Sequence, residues 1–452
     1  MTGPGNDPND RLVAAVTAHD ADAVRACLED GADPATRGPD GLPLLCAAVA
    51  AFDHRTAEAL TEAGADPDAE LPDGTTPLLR AVDLGSPALV DATLGKDPRL
   101  RLAEADRTRL LDLARHWVET GEARELRRRT GAPGQATRRP GADDEHTDIE
   151  EVSLGGLTVR TGHRAVLTTL EWKFGILPPV AELVARAVPY PDETHVNWSN
   201  ASYFLAHRRS PQAWSELAAL RHHPDPVHRR FLASVLWHRK FLTDHFGRPD
   251  TGRDPDFLAD WALDEPDGHV LAKVLDVSTH DDHPAQEALG LRYADHPDPR
   301  VRQEVPYCLS RYGTPRTEAA DAALLTLARD PDPGVRAVIA RTFATPRELT
   351  PVTRETLLTL VRDPDPGVRG CAAESLANSH DRTAAVTEAL FALLDEENRL
   401  LRLEAAYGLA LRDDPRTDEA YDRAGPFGPG FEHDHRLSAH WNYRWRHRPD
   451  PD

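Results

Sequence analysis

One short signature returns at a nearly constant interval through the second half of the chain. Asp-Pro-Asp-Pro at residues 330–333 recurs at residues 363–366. The second acidic position, or an asparagine in its place, falls at 298, 332, 365 and 398, so the intervals are 34, 33 and 33. A period of this length is typical of solenoids, in which no unit buries its own apolar face and successive units stack.

The residue types around each anchor follow the chemistry of a helix N-terminus. We expect Asp332 to be an N-cap, because its carboxylate can accept a hydrogen bond from a first-turn N–H, and Pro333 suits the first helical position. Arg336 follows on the first turn, and the apolar Ile339, three positions later, shares one helical face with Phe343, four positions after that. The repeat anchors are Asp225, Arg229, Asp298, Arg302, Asp332, Arg336, Asp365, Arg369, Asn398 and Arg402.

Residues 332–343, 365–376 and 398–409 fit the pattern acidic-x-x-Val-Arg-x-x-Ala-x-x-x-Leu with conservative changes. The pattern resembles the second helix of HEAT repeats, in particular the short bacterial form related to bilin-lyase repeats. The resemblance implies an α-solenoid over residues 210–412, in which the Asp and Arg anchors are structural and bridge neighbouring repeats. Three positions depart from it: His228 replaces the valine, Leu271 stands where an arginine is expected, and Pro306 should kink its helix.

A second repeat, of nearly the same period, occupies the first third of the chain. Gly-Ala-Asp-Pro at 31–34 recurs at 64–67, and Asp-Gly at 40–41 recurs at 73–74. The glycine of the first motif suits the left-handed position after a helix, and Asp-Gly suits a tight turn. The two motifs keep the same interval, so they belong to one repeating unit.

Residues 73–78, Asp-Gly-Thr-Thr-Pro-Leu, resemble the ankyrin-repeat signature, with Leu79 in place of its histidine. The resemblance implies ankyrin-like repeats over residues 9–133, two of them clear and two degenerate.

The segments between and after the repeats are less regular. Residues 134–150, rich in Gly, Pro, Thr and charge, are predicted to be an exposed linker. Alternating apolar residues on either side of Gly155-Gly156 indicate a short β-hairpin. The rest of 151–209 is expected to be an irregular junction, and 413–452 a C-terminal tail. The predicted fold class is therefore all-α, with two stacked α-solenoids, ankyrin-like then HEAT-like, and one possible hairpin between them.

Composition narrows the classes of partner. The chain has 75 acidic against 53 basic residues, a formal charge of −22. An acidic surface repels phosphate, so nucleic acid is disfavoured as a partner.

The four cysteines form no CxxC pair, and no apolar stretch is long enough to span a bilayer. With no signal segment at the N-terminus, we expect a cytoplasmic protein. The preference for arginine over lysine suggests a GC-rich, bacterial genome.

No pattern predicts a catalytic residue, a cofactor site or a metal site. The sequence His-Asp-Asp-His at 280–283 is read as a turn, and the tail histidines as part of a segment folded over the last repeat. A run of arginines could form an acidic-partner or nucleic-acid patch, but a solvated helix C-terminus is the favoured interpretation. These arginines are Arg124, Arg127, Arg128, Arg129, Arg138 and Arg139.

Four aromatic residues are the candidates for contact with a partner. Trp198 would be an anchor if it is exposed, and Trp441, Tyr443 and Trp445 lie among arginines and histidines in the tail. Tryptophan and arginine are common hot spots of protein interfaces.

The leading hypothesis is a non-enzymatic scaffold that binds another protein, of basic or mixed charge, on the concave faces of its solenoids. One alternative is a lyase-like or enzyme-accessory HEAT protein with a pocket in the middle region. A HEAT-type DNA-binding protein is a third hypothesis, disfavoured by the charge. A continuous positively charged stripe on the concave face from residue 210 onward would support the DNA-binding hypothesis.

The capping role of Asp332 generates the first prediction. The substitution Asp332→Ala should lower the free energy of unfolding by about 1 kcal/mol, because it removes one N-cap hydrogen bond. Thermal unfolding followed by circular dichroism measures the effect, and an unchanged melting temperature would mean that the helix starts elsewhere.

Overall fold

The computed structural model describes residues 7–246, 254–280, 283–310, 315–343, 348–428, 430–431 and 433–447. The chain forms two compact units, Met1–Arg248 and Pro249–Asp452. Both are mainly helical. No helix among the described residues is long and apolar enough to cross a membrane.

The first unit contains fourteen α-helices and one small sheet in its described part. Its helices are α1 (Pro8–Thr17), α2 (Ala21–Glu29), α3 (Leu44–Ala50), α4 (His54–Glu62), α5 (Pro77–Leu84), α6 (Pro87–Leu94), α7 (Pro98–Arg101), α8 (Glu104–Thr120), α9 (Glu122–Thr130), α10 (His163–Phe174), α11 (Val180–Ala187), α12 (Val196–Ala206), α13 (Pro211–Ala219) and α14 (Pro226–Phe246). Its strands are β1 (Thr137–Ala142), β2 (Asp148–Leu154) and β3 (Leu157–Arg160).

The described part of the second unit contains helices alone. They are α15 (Asp254–Asp264), α16 (Gly268–Ser278), α17 (Gln286–Tyr293), α18 (Pro299–Leu309), α19 (Glu318–Leu327), α20 (Pro333–Thr342), α21 (Pro351–Leu360), α22 (Pro366–Asn378), α23 (Ala384–Ala392), α24 (Arg399–Leu411), α25 (Thr417–Ala424) and α26 (His435–Arg446).

The repeating unit of the first third of the chain corresponds to the helix pairs α1–α2, α3–α4 and α5–α6. Gly31 and Gly64 follow the ends of α2 and α4 with φ of +92° and +104°, which a residue with a Cβ adopts only at a cost. Thr76 caps α5, accepting a hydrogen bond from the Leu79 N–H at 3.1 Å. The buried faces of these pairs share one apolar core with α8 and α10.

The predicted β-hairpin is confirmed, and the predicted linker is wrong. Strands β2 and β3 are antiparallel and turn at Gly155-Gly156, with Val152 paired to Val159. The third strand, β1, pairs with β2 and occupies the segment expected to be a linker. All but one residue of β1 is exposed, so it has no alternation of apolar and polar side chains that would distinguish it from an exposed loop.

The expectation of an irregular segment over residues 151–209 is also wrong. It holds α10, α11 and α12 in addition to two strands. Helix α10 is buried on almost all sides, so it lacks the one-sided apolar pattern by which a surface helix is recognised. Helix α11 starts directly after Pro179.

In the second unit, the second helices of successive pairs lie side by side: α16, α18, α20, α22 and α24 each contact the next. Helices α25 and α26 both contact α24, so the segment expected to be a tail forms a further helix pair. Asp434 caps α26 by accepting a hydrogen bond from the Arg436 N–H at 2.9 Å. Pro306 lies inside α18 without ending it.

Gly85 generates a prediction for the first unit. Its φ is +71°, and a Cβ there would lie 2.4 Å from the Arg160 carbonyl oxygen and 2.4 Å from the His163 ring. Gly85→Ala should therefore destabilise the protein by about 2 kcal/mol or more, from backbone strain plus overpacking.

Gly74→Ala is the matched control, because Gly74 has a φ of +72° and nothing within 4 Å of the added Cβ. We expect it to cost about 1 kcal/mol, the backbone strain alone. Equal denaturant midpoints for the two variants would contradict the close contact at Gly85.

Candidate partner-binding site

Two arginines of the HEAT-like repeats, Arg302 and Arg336, each join two loops. Arg336 donates from Nη1 to the carbonyl oxygens of Asp330 and Pro331, at 2.8 and 3.2 Å, and so closes the loop that precedes its own helix. The same guanidinium donates from Nε and Nη2 to both carboxylate oxygens of Asp363 in the next repeat, at 2.7 and 2.8 Å. Such a bidentate charged pair fixes geometry as well as contributing energy.

The same arrangement occurs one repeat earlier and, more weakly, one repeat later. Arg302 binds both oxygens of Asp330 at 2.7 and 2.8 Å, and Arg369 lies 3.3 Å from Glu396. Arg402 closes its own loop through the Glu396 carbonyl at 2.6 Å. The first acidic residue of each Asp-Pro-Asp-Pro motif is therefore the inter-repeat partner, a role that the sequence interpretation had not separated from capping.

The second acidic residue of the motif caps the helix. Asp332 accepts from the Val335 N–H at 3.1 Å, Asp365 from Gly367 and Val368, and Asn398 from Leu400 and Leu401. Asp298 accepts from the Arg300 N–H at 2.9 Å. These acidic anchors thus fix the helix starts of successive repeats.

Trp198 is not a surface anchor. Trp198 belongs to α12, and its side chain is fully buried. Its Nε1 donates to Ser234 Oγ at 3.0 Å, and its ring packs edge-on against Phe231 at 5.1 Å between ring centroids. Its candidacy as a partner contact depended on exposure, and that condition is not met. Tryptophan spacing alone does not separate a core residue from an exposed one.

The three aromatic residues of α26 divide between core and surface. Tyr443 is buried, whereas Trp441 and Trp445 are 62% and 61% exposed. These two indoles are four residues apart on one helix, so they lie on the same face.

Helix α26 is held in place on the opposite side. Arg436 bonds to Glu404 of α24 at 3.1 Å, and Arg446 bonds to Asp413 at 2.6 Å. His440 lies 2.7 Å from Asp418 and stacks on Tyr421 with ring centroids 4.1 Å apart. The exposed indole pair therefore stands on a helix that is fixed by several polar contacts.

Three histidines of the C-terminal segment, His435, His440 and His447, contact different neighbours. His435 packs edge-on against Tyr407, and His447 packs against Tyr443. Within the described ranges, no group of three or more His, Cys, Asp or Glu side chains is placed to hold a metal ion. Asp281 and Asp282 of the His-Asp-Asp-His sequence lie outside those ranges.

Part of the predicted arginine cluster has internal partners. Arg128 and Arg129 both bond to the fully buried Glu125, and Arg129 also bonds to Asp83 at 2.6 and 2.7 Å. Arg127 donates to the Gly134 carbonyl oxygen at 2.7 Å. These three arginines therefore have structural partners at the end of α9, whereas Arg138 and Arg139 lie in β1.

Comparison with known proteins assigns part of the chain. Two overlapping stretches, residues 255–344 and 321–410, match the family model for HEAT repeats. The second unit therefore carries HEAT repeats over residues 255–410. No curated protein matches the chain.

Two solved structures are distantly similar. YibA of Escherichia coli is 15% identical over 55% of this chain and 93% of that protein, with a TM-score of 0.41. An engineered protein is 15% identical over 97% of this chain and 98% of its own, with a TM-score of 0.38. These likenesses are too low to extend the assignment.

The inter-repeat pair generates a pH prediction. The Arg336 guanidinium holds the pKa of Asp363 below its ordinary value. A carboxylate whose pKa is depressed by folding adds stability above its unfolded pKa, about 3.9, and loses that contribution as the pH falls toward the folded pKa. Asp363→Asn should thus cost about 2 kcal/mol at pH 7, and the cost should shrink below about pH 4.

Urea unfolding at pH 7 and at pH 3 measures the difference, with the exposed Glu355→Gln as control. A cost that is the same at both pH values would show that the Asp363 carboxylate does not gain stability from Arg336.

Proposed function

We propose that this chain is a non-enzymatic scaffold that binds another protein through the exposed face of α26. The observation that carries the proposal is the pair Trp441 and Trp445, each largely exposed on a helix that the rest of its unit holds in place. A fixed helix presents large aromatic side chains without the entropy cost of ordering a loop, and tryptophan is enriched among interface hot spots.

The charges around the indoles favour a mixed-charge partner. Arg444 pairs with Asp418 at 2.8 Å and remains largely exposed, and Arg446 pairs with Asp413. Both signs of charge thus border the apolar face. The overall charge of −22 adds long-range attraction for basic segments, so association should weaken as salt is raised.

We also propose that the first unit begins with ankyrin-like repeats, in a cytoplasmic, bacterial protein. The helix pairs α3–α4 and α5–α6 start at Leu44 and Pro77, one period of the Gly-Ala-Asp-Pro motif apart. The connecting loops are closed by Asx turns, in which Asp40 and Asp73 accept from N–H groups two residues on at 3.0 Å. These features support the proposal together with the signature at residues 73–78.

The proposal predicts that replacing both indoles removes the contact. A pull-down from native cell extract uses the full chain as bait at low and high salt, and the captured protein is then titrated against wild type and the Trp441→Ser/Trp445→Ser variant. We expect the double variant to lose about thirtyfold or more in affinity, since a hot-spot side chain contributes about 2 kcal/mol or more.

Leu100→Ser is the matched control, because Leu100 is the most exposed large apolar side chain among the described residues of the first unit, at 88%. It should leave the affinity unchanged. The double variant should also keep the wild-type melting temperature, since both indoles are exposed. Equal affinity of wild type and the folded double variant would refute the assignment of the contact to α26.

A further inference from the structure

A large open cavity lies in the first unit, among residues far apart in the sequence. Its volume is about 770 Å³, within the range of about 300–1,000 Å³ typical of ligand sites. Four helices line it: the C-terminal part of α4, the end of α6 with the loop after it, the end of α10 and the end of α12. Nothing in the repeat patterns indicates that these four segments meet.

One wall of the cavity is aromatic. Trp172 of α10 lies 5.1 Å from Phe204 and 5.4 Å from His207, measured between ring centroids. Tyr203 lies 4.5 Å from the His207 ring and is half-buried, as Trp172 is. Such a wall offers ring faces and edges to a ligand, and the negative face of an indole or phenol attracts organic cations.

Another part of the cavity lining is acidic. Glu58 and Glu62 are one turn apart on α4, Asp91 lies on α6, and all three residues line the cavity. None of them makes a hydrogen bond or ion pair with another described residue. Desolvation by the surrounding protein atoms raises the pKa of Asp91 to about 6, and Asp143 and Asp144 add to the rise while Lys173 opposes it. A carboxyl group with this pKa remains mostly ionised at neutral pH.

Two lysines, Lys96 and Lys173, also border the cavity. Lys173 interacts electrostatically with Asp91, and the two aspartates beside Asp91 strengthen the negative potential there. Three carboxylates against two ammonium groups leave the cavity with a net negative charge. A cation is therefore the complementary occupant, and its apolar stem would lie along the aromatic wall.

We propose that this cavity binds an arginine or lysine side chain presented by a basic polypeptide segment, between the aromatic wall and the carboxylates of α4 and α6. The volume exceeds that of one side chain, so neighbouring peptide residues enter with it. The proposal rests on the proposed function in that the partner is a protein, but it concerns a different surface.

The chain supplies a matched control through its own repeat. Glu29 is the last residue of α2, as Glu62 is the last residue of α4, so the two occupy the same position in successive repeats. Glu29 is exposed but does not line the cavity. Glu29→Gln thus changes the same charge at the same repeat position, away from the proposed site.

The test is fluorescence anisotropy with the full chain and a labelled glycine–serine peptide carrying several arginines, beside the same peptide with neutral citrulline in their place. We expect saturable binding of the arginine peptide alone. The double variant Glu58→Gln/Glu62→Gln and the variant Trp172→Leu should each weaken binding of the arginine peptide about fivefold. The control variant Glu29→Gln should leave this affinity unchanged. The double variant Trp441→Ser/Trp445→Ser should bind the arginine peptide with wild-type affinity. This result distinguishes the cavity from the proposed contact on α26.

Several results would overturn the proposal. One is equal binding of the citrulline peptide, and another is no saturable binding of the arginine peptide even at millimolar protein. An unchanged affinity of the folded Glu58→Gln/Glu62→Gln variant would place the binding elsewhere. If free arginine amide binds with the same affinity as the arginine peptide, the cavity is a small-cation site instead. If a glutamate peptide binds tightly and the variant Lys96→Gln/Lys173→Gln abolishes that binding, the cavity is an anion site.

Discussion

The Arg336 guanidinium fixes the position of one helix pair relative to the next. A pair in a solenoid has no complete core of its own, so its position depends on the pair beside it. Arg336 binds two carbonyls of its own loop and both carboxylate oxygens of Asp363 in the next loop. Since the planar guanidinium carries five donors in a fixed fork, one side chain sets the spacing of two loops at once. Apolar packing supplies the bulk of the energy, and these bonds select one register among the ways in which similar helices could pack.

The first unit aligns its helices by other means. Gly162 N–H donates to the Gly85 carbonyl oxygen at 3.1 Å, and the His163 ring stacks on Trp117 at 4.4 Å. Trp117 Nε1 donates to Asp83, which also accepts from Arg129. These contacts connect the last short repeat to α8, α9 and the strand that precedes α10. Close approach of two backbones replaces the regular arginine bridge, which is why Gly85 tolerates no added Cβ.

The period of the anchors was sufficient to predict the helix pairs and the caps of the second unit, because capping is local and each cap needs only a few adjacent residues. The sheet was predicted in part: β2 and β3 alternate around a glycine turn, whereas exposed β1 carries no apolar alternation. Exposure of a tryptophan depends on tertiary neighbours, so the sequence could not separate Trp198 from Trp441. The cavity depends on segments from α4 to α12 that are distant along the chain, such as those holding Glu58 and Phe204, and no local pattern encodes their meeting.

The repeats also show how a solenoid can change what it binds without changing its fold. Arg25, Glu58 and Asp91 occupy the same repeat position on the second helices of three successive pairs. Arg25 pairs with Asp22 on its own helix, whereas Glu58 and Asp91 face the cavity. The buried positions of these helices keep small and aliphatic residues such as Val24, Ala57 and Val90. Core packing therefore does not fix the sign of charge on the outer face. The acidic residues of two adjacent repeats line one cavity together with aromatic rings of α10 and α12.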